Sequence, residues 1–372
     1  MKPALLLFTA IFATTFPLAT MVVGAPATLS VRTNLAPQSP AVPLTPQSIN
    51  EALLTGVPVE FVPISSQLQY RPGSPATNGW PTVRTVPINQ MPTPAVARME
   101  ILLARAGASP GVIDGFDGEN LRKAVAAFET MLGGKPDGLI NPNLLQALET
   151  STDVPVGVIG SYVITDADVS AILPPIPKDY AEMAKLSFLG YTSVAEELAE
   201  RFHMDQKFFE ALNPTAKFVA GETVYGAITG SGRKGKVARI EADKAARQVR
   251  GYDASGKLLV AYPATIGSEA TPSPSGSFTV VAVAENPTYT YNPDLNFKQG
   301  NNDKILTIPP GPNGPVGSVW IALSQPTFGI HGTPEPSLID KAASHGCVRL
   351  TNWDAEELAK MVSKGVSVDF LS

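Results

Sequence analysis

Apolar positions recur along this chain with two periods, and each predicts a different kind of unit. From Pro94 onward Val96, Met99, Leu103 and Ala106 share one helical face, and Leu121, Ala124, Val125, Phe128 and Leu132 follow at i, i+3, i+4, i+7 and i+11. A glycine-rich turn, Asp114-Gly115-Phe116-Asp117-Gly118, separates the two, and Asn141 with Pro142 opens a third helix carrying Leu144, Leu145 and Leu148. A three-helix unit is expected at 91–155. A second unit is expected at 180–230, where Ser193 with Glu196 reads as a capping box ahead of Val194, Leu198 and Phe202. Asp205 then caps a helix with Phe208, Phe209 and Leu212, and Thr223–Ile228 reads as a strand.

From about Lys236 the period falls to two. Strands are predicted over Val237–Ala242, Arg247–Tyr252, Leu258–Pro263, Ser277–Ala284, Val319–Leu323 and Val366–Phe370, with Asp253-Ala254-Ser255-Gly256 as a hairpin turn. One helix, Asp354–Val362, interrupts them, opened by an Asp354/Glu357 capping box. The expected class is multidomain α+β, ending in a mainly antiparallel β domain at 236–372. Residues 28–90 are rich in Pro, Thr, Ser and Val with neither period, which predicts a tether; the apolar Val57–Ile64 within it is long enough for an edge strand.

Composition sharpens this picture in three places. With 44% hydrophobic and 16% charged residues the chain is globular, and 35 prolines are too many to spread evenly through packed elements, so part of the chain is expected to be linker. A net charge of -5 without a basic cluster argues against a nucleic-acid partner. Residues 1–27 combine Lys2, an apolar run from Leu5 to Leu18 and Ala25-Pro26-Ala27, the pattern of a cleaved secretory signal. The alternative is a membrane anchor, but Thr14, Thr15 and Pro17 interrupt the run. An exported, periplasmic protein is expected, and there a lone cysteine is informative. Cys347 is the one cysteine of 372 residues, so it is either a small buried hydrophobe or a thiol kept free for use.

Its neighbours favour use. Ile330-His331-Gly332-Thr333 and Ser344-His345-Gly346-Cys347-Val348-Arg349-Leu350 place two of the three histidines just upstream of the thiol, each followed by a glycine. A thiol with pKa near 8.5 is mostly protonated at neutral pH, and ionising it there costs about 2 kcal/mol without help. An imidazole that accepts that proton is worth roughly 10²- to 10⁴-fold. The sequence permits backbone N–H groups around Gly346 and Cys347 to hold a developing oxyanion. One cysteine and two histidines fall short of the closed four-ligand set of a structural zinc site, so no metal is expected. His203 sits on a predicted helix as an ordinary surface or core residue. Tyr289 and Tyr291 are either a lid over the site or packed loop tyrosines.

These motifs resemble known families. His331 and Ser344-His345-Gly346-Cys347 are similar to the signature of the L,D-transpeptidase catalytic domain, the YkuD domain, and Thr271-Pro272-Ser273-Pro274-Ser275-Gly276-Ser277-Phe278 looks like the family's turn before a core strand. Asn286-Pro287-Thr288-Tyr289 resembles its proteobacterial members. Asp114-Gly115, Ala124-Val125-Ala126-Ala127-Phe128 and Pro136-Asp137-Gly138 resemble a small peptidoglycan-binding domain, and Ser193–Pro214 with Gly221-Glu222-Thr223-Val224 looks like a LysM glycan-binding module.

The resemblance implies a YkuD-like β-sandwich in which Cys347 is the nucleophile, His331 the general base and His345 a supporting residue, with Ser344, Gly346, Gly332 and Arg349 around the substrate. Arg349 stands where some family members have Asn; it has two readings, a clamp on a substrate carboxylate and an ion pair with a nearby acid. The implied partners are peptidoglycan stem peptides and glycan strands, an outer-membrane protein as a further acyl acceptor, and carbapenem-type β-lactams as covalent inhibitors. No cofactor is implied, because a thioester conserves the energy of the cleaved bond.

Overall fold

The structure, a computed structural model, describes residues 42–54, 91–151, 157–267, 271–295, 297–341 and 346–371. The signal-like segment, the Val57–Ile64 stretch, Ser344 and His345 lie outside the described residues.

Within the expected tether, the described residues 42–54 are ordered against the rest of the chain. Residues Pro46–Asn50 form a short helix, α1, whose N-cap Thr45 and Ser48 close a reciprocal capping box. Ile49 and Leu54 are buried, and the Asn50 amide exchanges two hydrogen bonds with the backbone of Ile159. The signal lay in partners far along the chain, which a local reading of a Pro-rich stretch does not see.

The three-helix unit forms as the periodicity predicts. α2 (Pro94–Ala106) starts on a Thr93 cap with proline in its first turn and ends at Gly107 in the left-handed conformation. α3 (Glu119–Met131) and α4 (Pro142–Thr150) follow, the latter capped by Asn141. Beyond them β1 (Ile159–Val163) leads through two short helices, α5 (Asp166–Ser170) and α6 (Tyr180–Met183), to α7 (Val194–Arg201) and α8 (Gln206–Leu212). β2 (Thr223–Ala227) then pairs antiparallel with β1. The second unit therefore begins ahead of the expected boundary at 180, with β1 as its opening strand. The Ser193 cap is present, but the Glu196 carboxylate accepts from the backbone N–H of Thr192, one residue before the cap, so the box is shifted.

The remaining strands are β3 (Arg239–Asp243), β4 (Gln248–Tyr252), β5 (Leu258–Pro263), β6 (Thr265–Ile266), β7 (Gly276–Glu285), β8 (Tyr289–Tyr291), β9 (Leu306–Ile308), β10 (Val319–Leu323), β11 (Gly329–His331), β12 (Val348–Arg349) and β13 (Ser367–Leu371). All but β8 and β9 join in one hydrogen-bonded order, β5-β4-β3-β13-β7-β10-β11-β12-β6. The ten-residue β7 carries the turn between layers: its first half pairs with β13 and its second with β10. Ile240, Val249, Val260 and Val368 from one side and Ile321, Ile330 and Val348 from the other fill a single apolar core, the arrangement of a sandwich. Pairing is mainly antiparallel; β13 with β3 and β11 with β12 are the parallel exceptions.

α9 (Asn352–Met361) covers this core with Ala355, Leu358 and Met361. Its cap is Thr351 rather than Asp354, and Glu357 accepts instead from the Tyr262 hydroxyl, so the expected Asp354/Glu357 box does not form. The helical units pack directly on the β domain. Gly107 and Ser109 hydrogen-bond along the outer edge of β5, which covers an otherwise open strand edge. Lys123 and Arg247 both reach the Asp340 carboxylate from the two sides of this junction.

Candidate active site

β11 and β12 bring the two chemical residues together. They run parallel with Ile330 opposite Val348 and His331 opposite Arg349. Ile330 and Val348 point into the core, so by alternation His331 and Arg349 project from the other face, and Cys347, one residue before Val348, projects with them. Strand spacing and rise set Cys347 diagonally from His331, about 8 Å between backbones.

His331 is buried and its tautomer is fixed by its partner. Nδ1 lies 2.7 Å from the carbonyl oxygen of Gly332, which only accepts, so Nδ1 carries the proton and Nε2 presents a lone pair. The ring stacks on Trp320, directly across on β10, at 5.3 Å between centroids and 20° between planes. Burial lowers the His331 pKa to about 4, with the Arg349 cation adding to that and the Gly332 bond opposing it. Cys347 is half-buried, its Sγ 3.6 Å from the carbonyl oxygen of Thr327. Burial pushes its thiol up, while a backbone hydrogen bond at Gly329 and the charge of Arg349 pull it down. Burial thus favours a neutral thiol and a neutral imidazole whose Nε2 carries the lone pair, suited to proton transfer during attack rather than to a preformed ion pair.

The loop ahead of Cys347 needs its glycine. Gly346 has φ 106°, in the left-handed region, and its carbonyl accepts from the Ser273 hydroxyl at 2.6 Å. The Thr271–Phe278 turn therefore braces the cysteine loop, a role the sequence motif marked without explaining. Gly332 serves through its carbonyl and a close approach: a Cβ there would lie 2.2 Å from Asn352 Oδ1. Arg349 is half-buried, and its charge acts on His331, Cys347, Tyr180 and Tyr289.

Tyr289 and Tyr291 have different fates. Tyr291 is fully buried, in edge-to-face contact with Tyr180 and Phe297, and is packing. Tyr289, on the β8–β9 ribbon beside the site, has its pKa raised by burial and by the neighbouring Tyr180 and Cys347. Tyr180 belongs to α6, in the helical unit, so a residue far upstream reaches the thiol's surroundings. Trp320 and Tyr180 were the residues that motif reading missed; neither lies within a run that names the site. Among the described residues, no three His, Cys, Asp or Glu side chains converge in a way that could hold a metal ion, and no helix is long and apolar enough to cross a membrane.

A β-sandwich that sets a thiol and a tautomer-fixed imidazole on adjacent strands defines a candidate cysteine–histidine acyl-transfer site. Residues 237–369 match the YkuD family, the L,D-transpeptidase catalytic domain, and residues 92–148 match a peptidoglycan-binding domain family. Residues 237–369 are thus similar to a YkuD-type catalytic domain and residues 92–148 to a peptidoglycan-binding-type domain. Relatives from Bacillus licheniformis and Bacillus subtilis, both provisionally named L,D-transpeptidase YkuD, are 34% identical over 35% of this chain and 63% of theirs, and 32% identical over 31% and 54%. The chain thus spans less than two thirds of the length of these relatives. A solved catalytic domain of the Enterococcus faecium L,D-transpeptidase, acylated by ertapenem, is 24% identical with a TM-score of 0.29, covering 37% of this chain and 98% of that one.

Proposed function

We propose that this chain is an L,D-transpeptidase acting on peptidoglycan through Cys347. The observation that supports the reading is the β11–β12 register, with His331 paired to Arg349 two residues after Cys347 and the imidazole's Nδ1 committed to Gly332, which leaves Nε2 as the proton acceptor. His331 accepts the thiol proton as the sulfur attacks the carbonyl joining the third stem residue, through its L-centre, to the terminal D-alanine. The C–N bond breaks, His331 returns the proton to the departing D-alanine amine, and a thioester remains. An acceptor amine then loses its proton to His331 and attacks the thioester, and the thiol is restored. Arg349 is suited to hold a stem carboxylate near the thiol.

The peptidoglycan-binding domain, together with the β1-α7-α8-β2 unit read as LysM-like, holds the enzyme on glycan and stem peptides in the periplasm, after export on the signal-like segment. A stem-peptide amine gives a 3-3 crosslink; an outer-membrane protein amine gives a tethered protein; carbapenems acylate the same thiol. The test is product analysis of the full chain with a disaccharide tetrapeptide, with and without a second stem. A crosslinked dimer formed with loss of D-alanine is expected. Tripeptide alone replaces the reading with an L,D-carboxypeptidase, and no product overturns it in favour of a binding scaffold.

A further inference from the structure

Asn352, the first residue of α9, makes four hydrogen bonds that join parts of the molecule far apart in sequence. Its Oδ1 accepts from the backbone N–H of Ser318 and of Thr333, each at 3.1 Å. Its Nδ2 donates to Glu200 Oε2 at 2.9 Å and to the carbonyl oxygen of Pro312 at 3.2 Å. A carbonyl only accepts and a backbone N–H only donates, so three of these partners leave the amide one orientation. The amide is fully satisfied, and it is buried at 3% exposure, where a lost partner is costly.

Each partner belongs to a different part of the site. Thr333 follows Gly332, whose carbonyl fixes the His331 tautomer; Ser318 begins the chain into β10, which carries Trp320; Pro312 lies in the segment between β9 and β10. The fourth partner, Glu200, sits on α7, outside the catalytic domain. Gly317 and Gly332 admit the amide: a Cβ on either would lie 2.1 or 2.2 Å from Asn352 Oδ1. Glu200 is itself held, since Tyr191 donates its hydroxyl to Oε2 at 3.3 Å. Asn313, next to Pro312, donates to Glu196 Oε1 at 2.6 Å, and Leu189 exchanges backbone bonds with Pro310 and Asn313, so the same helical unit grips the segment beside the site twice more.

We propose that Asn352, oriented by Glu200 from the accessory unit, is a positioning residue for His331, so that this unit completes the catalytic centre instead of serving only as a wall-binding appendage. Asn352 acts through the Gly332–Thr333 backbone: holding Thr333 N–H keeps the Gly332 carbonyl aimed at Nδ1, and so keeps Nε2 turned toward the thiol. Glu200 acts one step further out, by holding the Nδ2 end. The proposal rests on the reading of His331 as the base for Cys347.

Because the chain has a single cysteine, the mass added by a carbapenem reports acylation of that thiol alone, without any stem peptide. The acylation rate at pH 7 and the melting temperature are measured for the full chain and for Asn352→Asp, Glu200→Gln, the double variant and His331→Asn. Asn352→Asp replaces the donor that faces the Pro312 carbonyl and Glu200 with an acid, beside a Glu200 carboxyl that burial already raises to about 7, and is expected to slow acylation about tenfold. The double variant restores a donor and an acceptor between positions 200 and 352 with their order reversed, and is expected to return the rate to within about threefold of wild type. That rescue separates positioning from charge, because the double variant keeps the acid at position 352. An unchanged rate in Asn352→Asp overturns the proposal. So does a double variant that melts like wild type but is acylated no faster than Asn352→Asp. If His331→Asn is acylated as fast as wild type, the base assignment fails and the positioning role falls with it; a slow His331→Asn beside a normal Asn352→Asp removes the positioning role alone.

Discussion

His331 and His203 look alike by the usual signs of an active-site histidine, and only one of them lies on a strand that pairs with the segment following the cysteine. Both rings stack on a tryptophan: His331 on Trp320 at 5.3 Å, His203 on Trp353 at 5.0 Å and 10°. Burial holds the pKa of each to about 4. His203 follows α7 with φ 58°, passes its backbone carbonyl to Ile113, and lays its ring against α9, where it cements the helical unit to the β domain. His331 adds what His203 lacks, a tautomer set by Gly332 and a thiol on the next strand. A depressed histidine pKa is therefore a statement about burial; the chemistry comes from what faces the free nitrogen.

Replacing each histidine sharpens that contrast. His331→Asn keeps a polar side chain at the same place but no base of useful pKa, and acylation by a tetrapeptide donor should fall 10²- to 10⁴-fold. Wild-type acylation should hold as pH falls below the usual histidine range and fail only near pH 4, where the His331 Nε2 takes a proton. Single-turnover rates across pH 4–8 check both; an acid limb near pH 6.5 would show the imidazole to be solvated rather than enclosed.

His203→Gln should leave acylation within about twofold and act on stability, costing about 1–2 kcal/mol at pH 7 through the lost stack. The sign of its effect depends on pH. A histidine with folded pKa about 4 and unfolded pKa about 6.5 gives its full contribution above 6.5 and loses it as pH falls toward 4. That loss amounts to about 3 kcal/mol per histidine at pH 4. The variant escapes one such loss, so its melting temperature should lie below wild type at pH 7 and reach or pass it by pH 4. A constant gap across that range would place the ring in solvent.

What was legible in the sequence follows the range of the contacts involved. The helices of the first unit, the long strands and the turn at Asp253–Gly256 declare themselves within a dozen residues, because period and caps are local. His331 and Cys347 were legible as candidates for a similar reason: each sits in its own short motif, one on β11 and one just ahead of β12. Trp320 was not, because it meets His331 only through the β10–β11 register. The α1 helix was hidden for the same cause, since Asn50 is tied to Ile159, more than a hundred residues on. The Asp354/Glu357 box was misread because a tertiary partner, Tyr262, took the glutamate, and the Ser193/Glu196 box because Glu196 bonds the Thr192 backbone one residue ahead of the cap. Asn352 and Glu200 carry no local sign at all, and their role appears only once α7 is seated on α9.

The most direct test is intact-mass spectrometry of the chain and of Cys347→Ala after exposure to a carbapenem. The account predicts one stoichiometric adduct on the wild type, mapped to the Cys347 peptide, and none on the variant. An unmodified wild-type chain, or an equal adduct on Cys347→Ala, would contradict it.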